Sequence, residues 1–327
     1  MSQRDCQLAL RRKYIIDSAI LFVMCAIGVF SFSWFRTWIV GELDTAQFRQ
    51  IIDLLPNDWR KFASIDFDWL VSYLGRTALT LDEPMLVMFI SAWVIVRGTD
   101  VVSGELSRGT MEMLLAQPVS RSRIYWSHAK YTLVGLTLLV LFTWFGMAVG
   151  IWTTSVEETA YPVLSIPIIG YEIPLTFLKP QVTTVAMVTE VNPLMFLPGV
   201  INLFFVAFFL AAFSAWCSSW DRYRWRTLGI VAAFYFMAAT LKILATASET
   251  FAWTSYFSFF ELCSPAASIE LFQSDMWQLF WFGDYDPENR WVGFGPLTKN
   301  LSLLGLGILF YLWGHRIFTT RDLPAPV

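Results

Sequence analysis

GELSRGTMEMLLAQPVSR, residues 104–121, is a polar, glycine-punctuated stretch lodged between long apolar runs, and the side of the membrane it occupies decides the topology. Within it, residues 111–116 form an apolar patch too brief to cross a bilayer, which takes ~20 residues. Thr110 stands where it can cap a helix start, and Glu112 then falls in the first turn, where the helix dipole favours a carboxylate. Gln117, preceding Pro118, is pushed out of helical geometry, and Pro-Val-Ser makes a turn. Ser120 is placed to cap the next helix, which climbs through Tyr125 and Trp126 into an apolar run. These features predict a helix of about two turns lying at a membrane surface.

On either side of this stretch the chain reads as membrane. Its 327 residues are 56% hydrophobic and only 15% charged, whereas a soluble domain carries ~25% charged residues. Six apolar runs predict spans at 15–40, 84–102, 131–152, 194–219, 228–247 and 300–317. The first is too long for a signal-peptide core and has no small-residue cleavage site, so it is read as a retained span. The second is the short one, with 13 residues between Pro84 and Val96 before Arg97. Its completion requires Arg97 to snorkel or the helix to run on past the membrane.

The charges choose the orientation. With six spans and both termini inside, 14 lysines and arginines fall on the inner side, among them Arg97, Arg108, Arg121, Arg123, Arg222, Arg224, Arg226 and Arg321. Eight fall on the much longer outer side. The positive-inside rule then makes the basic side cytoplasmic. The predicted fold is an all-α polytopic membrane protein with six transmembrane helices and cytoplasmic N- and C-termini. A short cytoplasmic helix separates spans two and three, the outer loops are sizeable, and 1–327 form one domain.

The outer loops carry their own expectations. Residues 41–83 mix Ile51, Ile52, Leu54, Leu55, Trp59 and Phe62 with charges, predicting an amphipathic helix on the outer leaflet. Residues 153–193, rich in proline and β-branched residues, read as irregular or short-stranded, and the aromatic 251–296 as dipping into the membrane without crossing it. Tryptophans 34, 38, 126, 152, 216, 220 and 313 sit near span ends as an aromatic belt. Gly146 and Gly150 form a G-x-x-x-G in the third span, a spacing that permits close helix packing.

Several chemistries lack their residues. His128 and His315 are the two histidines, neither lies in an H-E-x-x-H, and no serine lies in a G-x-S-x-G. No G-x-x-x-x-G-K-[ST] is present, so no P-loop hydrolyses ATP here. The four cysteines (6, 25, 217 and 263) are too scattered for a metal pair or a disulfide framework. No catalytic residue, metal site or nucleic-acid partner is expected. Lys242, about 21 Å along the fifth span, is the outlying intramembrane charge. It either snorkels to the outer headgroups or faces a polar cavity or a substrate headgroup, as a possible intramembrane polar site.

With this topology, the order Gly104-Glu105, Arg108-Gly109-Thr110, Glu112, Leu114-Leu115, Gln117-Pro118-Val119-Ser120-Arg121 resembles the type-2 ATP-binding-cassette permeases. It is most similar to the branch described as multicopper-enzyme maturation and gliding-motility permeases, and the closing Arg321-Asp322-Leu323-Pro324 also looks like that branch. Met111 stands where leucine is commoner. The resemblance implies a permease subunit, an exporter of the bacterial inner membrane, paired with a second permease as homo- or heterodimer and surrounded by lipid. It implies no cofactor on this chain, with ATP and Mg bound by a separate cytoplasmic ATPase. By the same resemblance the patch at 111–116 is the coupling helix. Glu105, Glu112 and Arg121 are its polar contacts, Met111, Leu114 and Leu115 belong to its apolar body, and Gly109, Thr110 and Pro118 shape its ends. The competing readings are a non-transporting membrane scaffold that recruits a cytoplasmic complex, and an intramembrane lipid-modifying enzyme.

Overall fold

The computed structural model describes residues 3–43, 67–160, 163–166, 171–174, 181–285 and 291–322. All six runs are helices: α1 (Gln3–Glu42), α2 (Pro84–Thr99), α3 (Arg121–Thr153), α4 (Leu197–Trp220), α5 (Arg224–Ala247) and α6 (Pro296–Thr320). Among the described residues, six segments are long and apolar enough to cross a membrane, and the fold is that of an all-α polytopic membrane protein.

The short second span is completed on both sides. It runs over 35 residues, Tyr73–Ser107, through a helix Tyr73–Ala78, a 3-10 turn Leu79–Leu81, α2, a π turn Asp100–Gly104 and a last turn Glu105–Ser107. Arg97 does not snorkel. It is 3% exposed, with its guanidinium 6.0 Å from the Trp93 ring centre and 3.7 Å from the Asp100 carboxylate. The sequence reading assumed lipid around this residue, whereas the helix is surrounded by protein.

The protein that surrounds it is chiefly α4, the central helix, which packs on α2, α3, α5 and α6. Gly98 of α2 lies so close to α4 that a Cβ there would come within 2.4 Å of Ser214 Cβ and 2.8 Å of the Ala211 carbonyl. Toward α5 and α6 the contact is aromatic: Phe213 stands 4.3 Å from Phe234 and 5.4 Å from Phe310, centre to centre. Apolar side chains gain little by leaving lipid for protein, so such close packing supplies most of the association between membrane helices.

The G-x-x-x-G is used. Gly146 and Gly150 seat α3 on α1 at the buried Ser33 and Thr37, where added Cβ atoms would come within 2.6 Å of the Phe30 carbonyl and of Thr37. A Gly146→Leu variant is therefore expected to force α1 off α3 and cost about 1–3 kcal/mol or more of stability. Thermal unfolding in detergent checks this, with Gly229→Leu, whose Cβ would meet nothing, as the tolerated control.

Away from the 104–121 segment, the described parts of the loops form a cap. An antiparallel pair joins β1 (Ser155–Ala160) to β4 (Gln181–Ala186), and a second joins β2 (Val163–Ile166) to β3 (Tyr171–Pro174). The aromatic loop folds into 3-10 turns, a helix Pro265–Ser274 and a hairpin of β5 (Gly283–Tyr285) and β6 (Trp291–Phe294), and no described part of it is long enough to cross. Asp82 accepts from the Ala266 amide at the start of the Pro265–Ser274 helix (3.2 Å). Buried Asn202 of α4 bonds the Leu262 carbonyl, the Ser264 amide and Asn300 of α6, at 2.8–3.1 Å. The amphipathic stretch with Ile51, Ile52, Leu54, Leu55, Trp59 and Phe62 lies outside the described residues, as do Leu323 and Pro324.

Candidate functional site

At the opposite end of the bundle the 104–121 segment meets α1 and the end of α6. Lys13 of α1 pairs with Glu105 at 2.5 Å, and Arg121 donates to the Arg321 carbonyl at the end of α6 (2.7 Å). Lys13 of α1 and the end of α6 thus lie on the same side as the segment.

The segment begins where α2 changes pitch. The π turn Asp100–Gly104 disturbs the regular helical ladder, and a side chain from α4 repairs it. Ser218 Oγ accepts from the amides of Val102 (3.1 Å) and Ser103 (3.0 Å) and donates to the Thr99 carbonyl (2.9 Å). That uses the one donor and both acceptors a hydroxyl has. Such π turns recur at functional sites. Gly104 is needed here because a Cβ would meet the Asp100 carboxylate at 2.1 Å.

The turn gathers charge. Asp100, 6% exposed, faces Arg108 at 2.7 Å, Arg224 of α5 at 3.5 Å and Arg97 at 3.7 Å. Glu105, 1% exposed, is held by Lys13, by Arg108 at 3.0 Å and by the Thr110 hydroxyl. Arg108 bridges the two acids. Burial works to lower its pKa, but the hydrogen bonds and charges of Asp100 and Glu105 outweigh burial and raise it. Two carboxylates and four cations thus join α1, α2, α5 and the segment.

The Glu105–Ser107 turn ends in a Schellman motif. The Gly109 amide reaches the Leu106 carbonyl (3.1 Å) and the Thr110 amide the Glu105 carbonyl (3.0 Å), with Gly109 at φ +70. Only glycine takes that conformation without strain, which gives Gly109 its place.

This geometry corrects the reading of Thr110. Its φ of −84 and ψ of −14 are helical, it makes no side-chain cap, and its hydroxyl goes back to Glu105. The surface helix, Met111–Leu115, is five residues long, shorter than two turns. Ser120, extended at φ −67 and ψ 147, does cap α3 by accepting from the Arg123 amide at 3.3 Å.

The short helix has two faces. Met111 is buried, Leu114 and Leu115 are half-buried, and Glu112, Met113, Ala116 and Pro118 are exposed. Met113, 65% exposed, is the large apolar group the segment presents outward, and the sequence reading passed over it. The helical period could have found it, since Met113 lies two residues from buried Met111 and so on the far side of the helix. Glu105 and Arg121, read as outward polar contacts, are instead turned to the protein's own Lys13, Arg108 and Arg321.

Lys242 is elsewhere. It pairs at 2.5 Å with Glu261 in the 3-10 turn Phe259–Glu261, tying α5 to the cap. Among the described residues no group of three or more His, Cys, Asp or Glu is arranged to hold a metal.

Six apolar helices, one of them central, with a short helix anchored between the second and third, define an integral membrane protein. Residues 7–323 match the family model described as ABC-2 family transporter protein, and the chain belongs to that family. It is a membrane subunit of a transport system whose family implies an ATP-binding partner. No curated protein and no solved structure matches the chain.

Proposed function

We propose that this chain is the permease of an ATP-driven exporter in the bacterial inner membrane, and that a separate cytoplasmic ATPase docks on the 104–121 segment. The observation that carries the reading is a short helix whose outer face shows Met113 beside Glu112 and Pro118, while the chain before and after it is fixed to four of the membrane helices. An exposed apolar knob with a charge at its rim suits a protein cleft. The firm anchorage suits a part that receives force.

Movement of the docked helix has two ways into the bundle. Forward, it reaches α3 through the Ser120 cap, and backward it reaches α2 and α4 through Gly109, the charge network and the π turn held by Ser218. Either path can carry a rigid-body shift of helices. ATP and Mg belong to the ATPase, and a second permease subunit, identical or not, completes the pair. The cytoplasmic placement rests on the charge census, and export rather than import rests on the resemblance of the segment. The test is purification of the full chain from its native membrane in mild detergent. A P-loop ATPase is expected to co-purify in stoichiometric amount, and its absence would favour the scaffold reading.

A further inference from the structure

Where α4 turns into α5, the protein has an open cavity of about 480 Å³. Its lining is aromatic and apolar at Trp216, Trp220 and Ile230 and basic at Arg222, Arg226 and Arg321. The single acid in the lining, Asp221, is already engaged. One of its oxygens accepts from the amides of Arg222 (2.6 Å) and Tyr223 (3.0 Å), and the other faces Arg226 at 3.3 Å. Arg321 is held by the carbonyls of Ser219 (3.2 Å) and Trp220 (2.6 Å) at the end of α4, which fixes its charge at the cavity edge. Arg222 has no carboxylate partner among the described residues and lies 6.0 Å from the Tyr223 ring centre. The cavity therefore carries excess positive charge beside an apolar wall.

Its place fits an amphiphile. Trp220 and Tyr223 are exposed at the arginine-rich ends of α4 and α5, where aromatic side chains mark the headgroup level. Ile230, about two turns further along α5 and 52% exposed, continues the wall toward the hydrocarbon. Guanidinium groups bind phosphate through paired, charge-assisted hydrogen bonds. We infer that this cavity binds the phosphate headgroup of an anionic phospholipid, with an acyl chain running along Trp216 and Ile230. The site touches the 104–121 segment only at its edge, where the Arg321 carbonyl accepts from Arg121, and it stands whether or not that segment docks an ATPase.

The test is native mass spectrometry of the full chain with equimolar phosphatidylglycerol and phosphatidylcholine. Wild-type protein is expected to retain one phosphatidylglycerol in preference to phosphatidylcholine. Arg222→Gln, which breaks no ion pair, is expected to lower that retention about fivefold, and Arg222→Lys to restore most of it. Ile230→Ser should weaken the lipid and leave glycerol phosphate binding unchanged, which separates a lipid from a soluble phosphate. Equal binding of glycerol phosphate and phosphatidylglycerol would assign the same arginines to a free phosphate ester. Equal retention of the two lipids by wild-type protein, or an unchanged preference in Arg222→Gln protein of wild-type thermal stability, would overturn the site. Should Arg222→Gln lower the unfolding temperature, displacement of phosphatidylglycerol from wild-type protein by glycerol phosphate decides instead: displacement supports the site and none overturns it.

Discussion

Asp100→Asn is expected to be among the most damaging single substitutions in the chain. The change keeps the shape of the side chain and removes its charge, leaving buried Arg97 without the carboxylate paired with it among the described residues. Taking one partner from a buried ion pair costs about 3–5 kcal/mol, because the remaining charge stays in a low-dielectric site. The contact to Arg108 adds little, since that arginine is 39% exposed and solvent screens it. Stabilities of ordinary domains are about 5–15 kcal/mol, so the variant should accumulate poorly in the membrane or unfold at much lower temperature. Pairing it with Arg97→Met should recover much of the loss, since the two substitutions act on one interaction and do not add. Thermal unfolding of the single and double variants measures this. Additive losses would mean that Asp100 acts through Arg108 and Arg224 and not through Arg97.

Met113→Asp is the second expected result, and it separates docking from folding. Met113 is 65% exposed, so the substitution should leave insertion and thermal stability unchanged. An apolar anchor at the centre of an interface is worth about 2 kcal/mol, or roughly 30-fold in affinity, so ATPase binding and stimulated ATP hydrolysis should fall by that order. Glu112→Lys, at the rim, should act in the same direction with a smaller effect. Met111→Asp is the contrasting control. Met111 is 1% exposed, and a carboxylate in its place should destabilise the protein itself.

What could be read in the sequence was whatever depends on neighbours along the chain. The six spans follow from apolar length, the cap at Ser120 from its place before a helix, and the close approach at Gly146 and Gly150 from their spacing. Gly109 was placed at an end of the surface helix, although the left-handed turn it supplies closes the preceding one. What could not be read depends on partners far away. The π turn is held by Ser218, a residue 115 positions from Ser103, and no local pattern announces such a clamp. Glu105 was read as an outward polar contact because its partner Lys13 lies 92 positions before it. Thr110 failed as a cap because the Schellman turn before it had already set its backbone. Lys242 seemed alone in an apolar run because Glu261 sits in the loop that folds back on α5.

The measurement that bears most directly on the docking assignment is site-specific photocrosslinking in intact cells, with a photoreactive residue at position 113 of the full chain. The expected product joins this protein to a P-loop ATPase, and the same probe at exposed Gly229, in the body of α5, gives none. If position 113 yields no ATPase product while an ATPase still co-purifies with the chain, the 104–121 segment is not where the force enters.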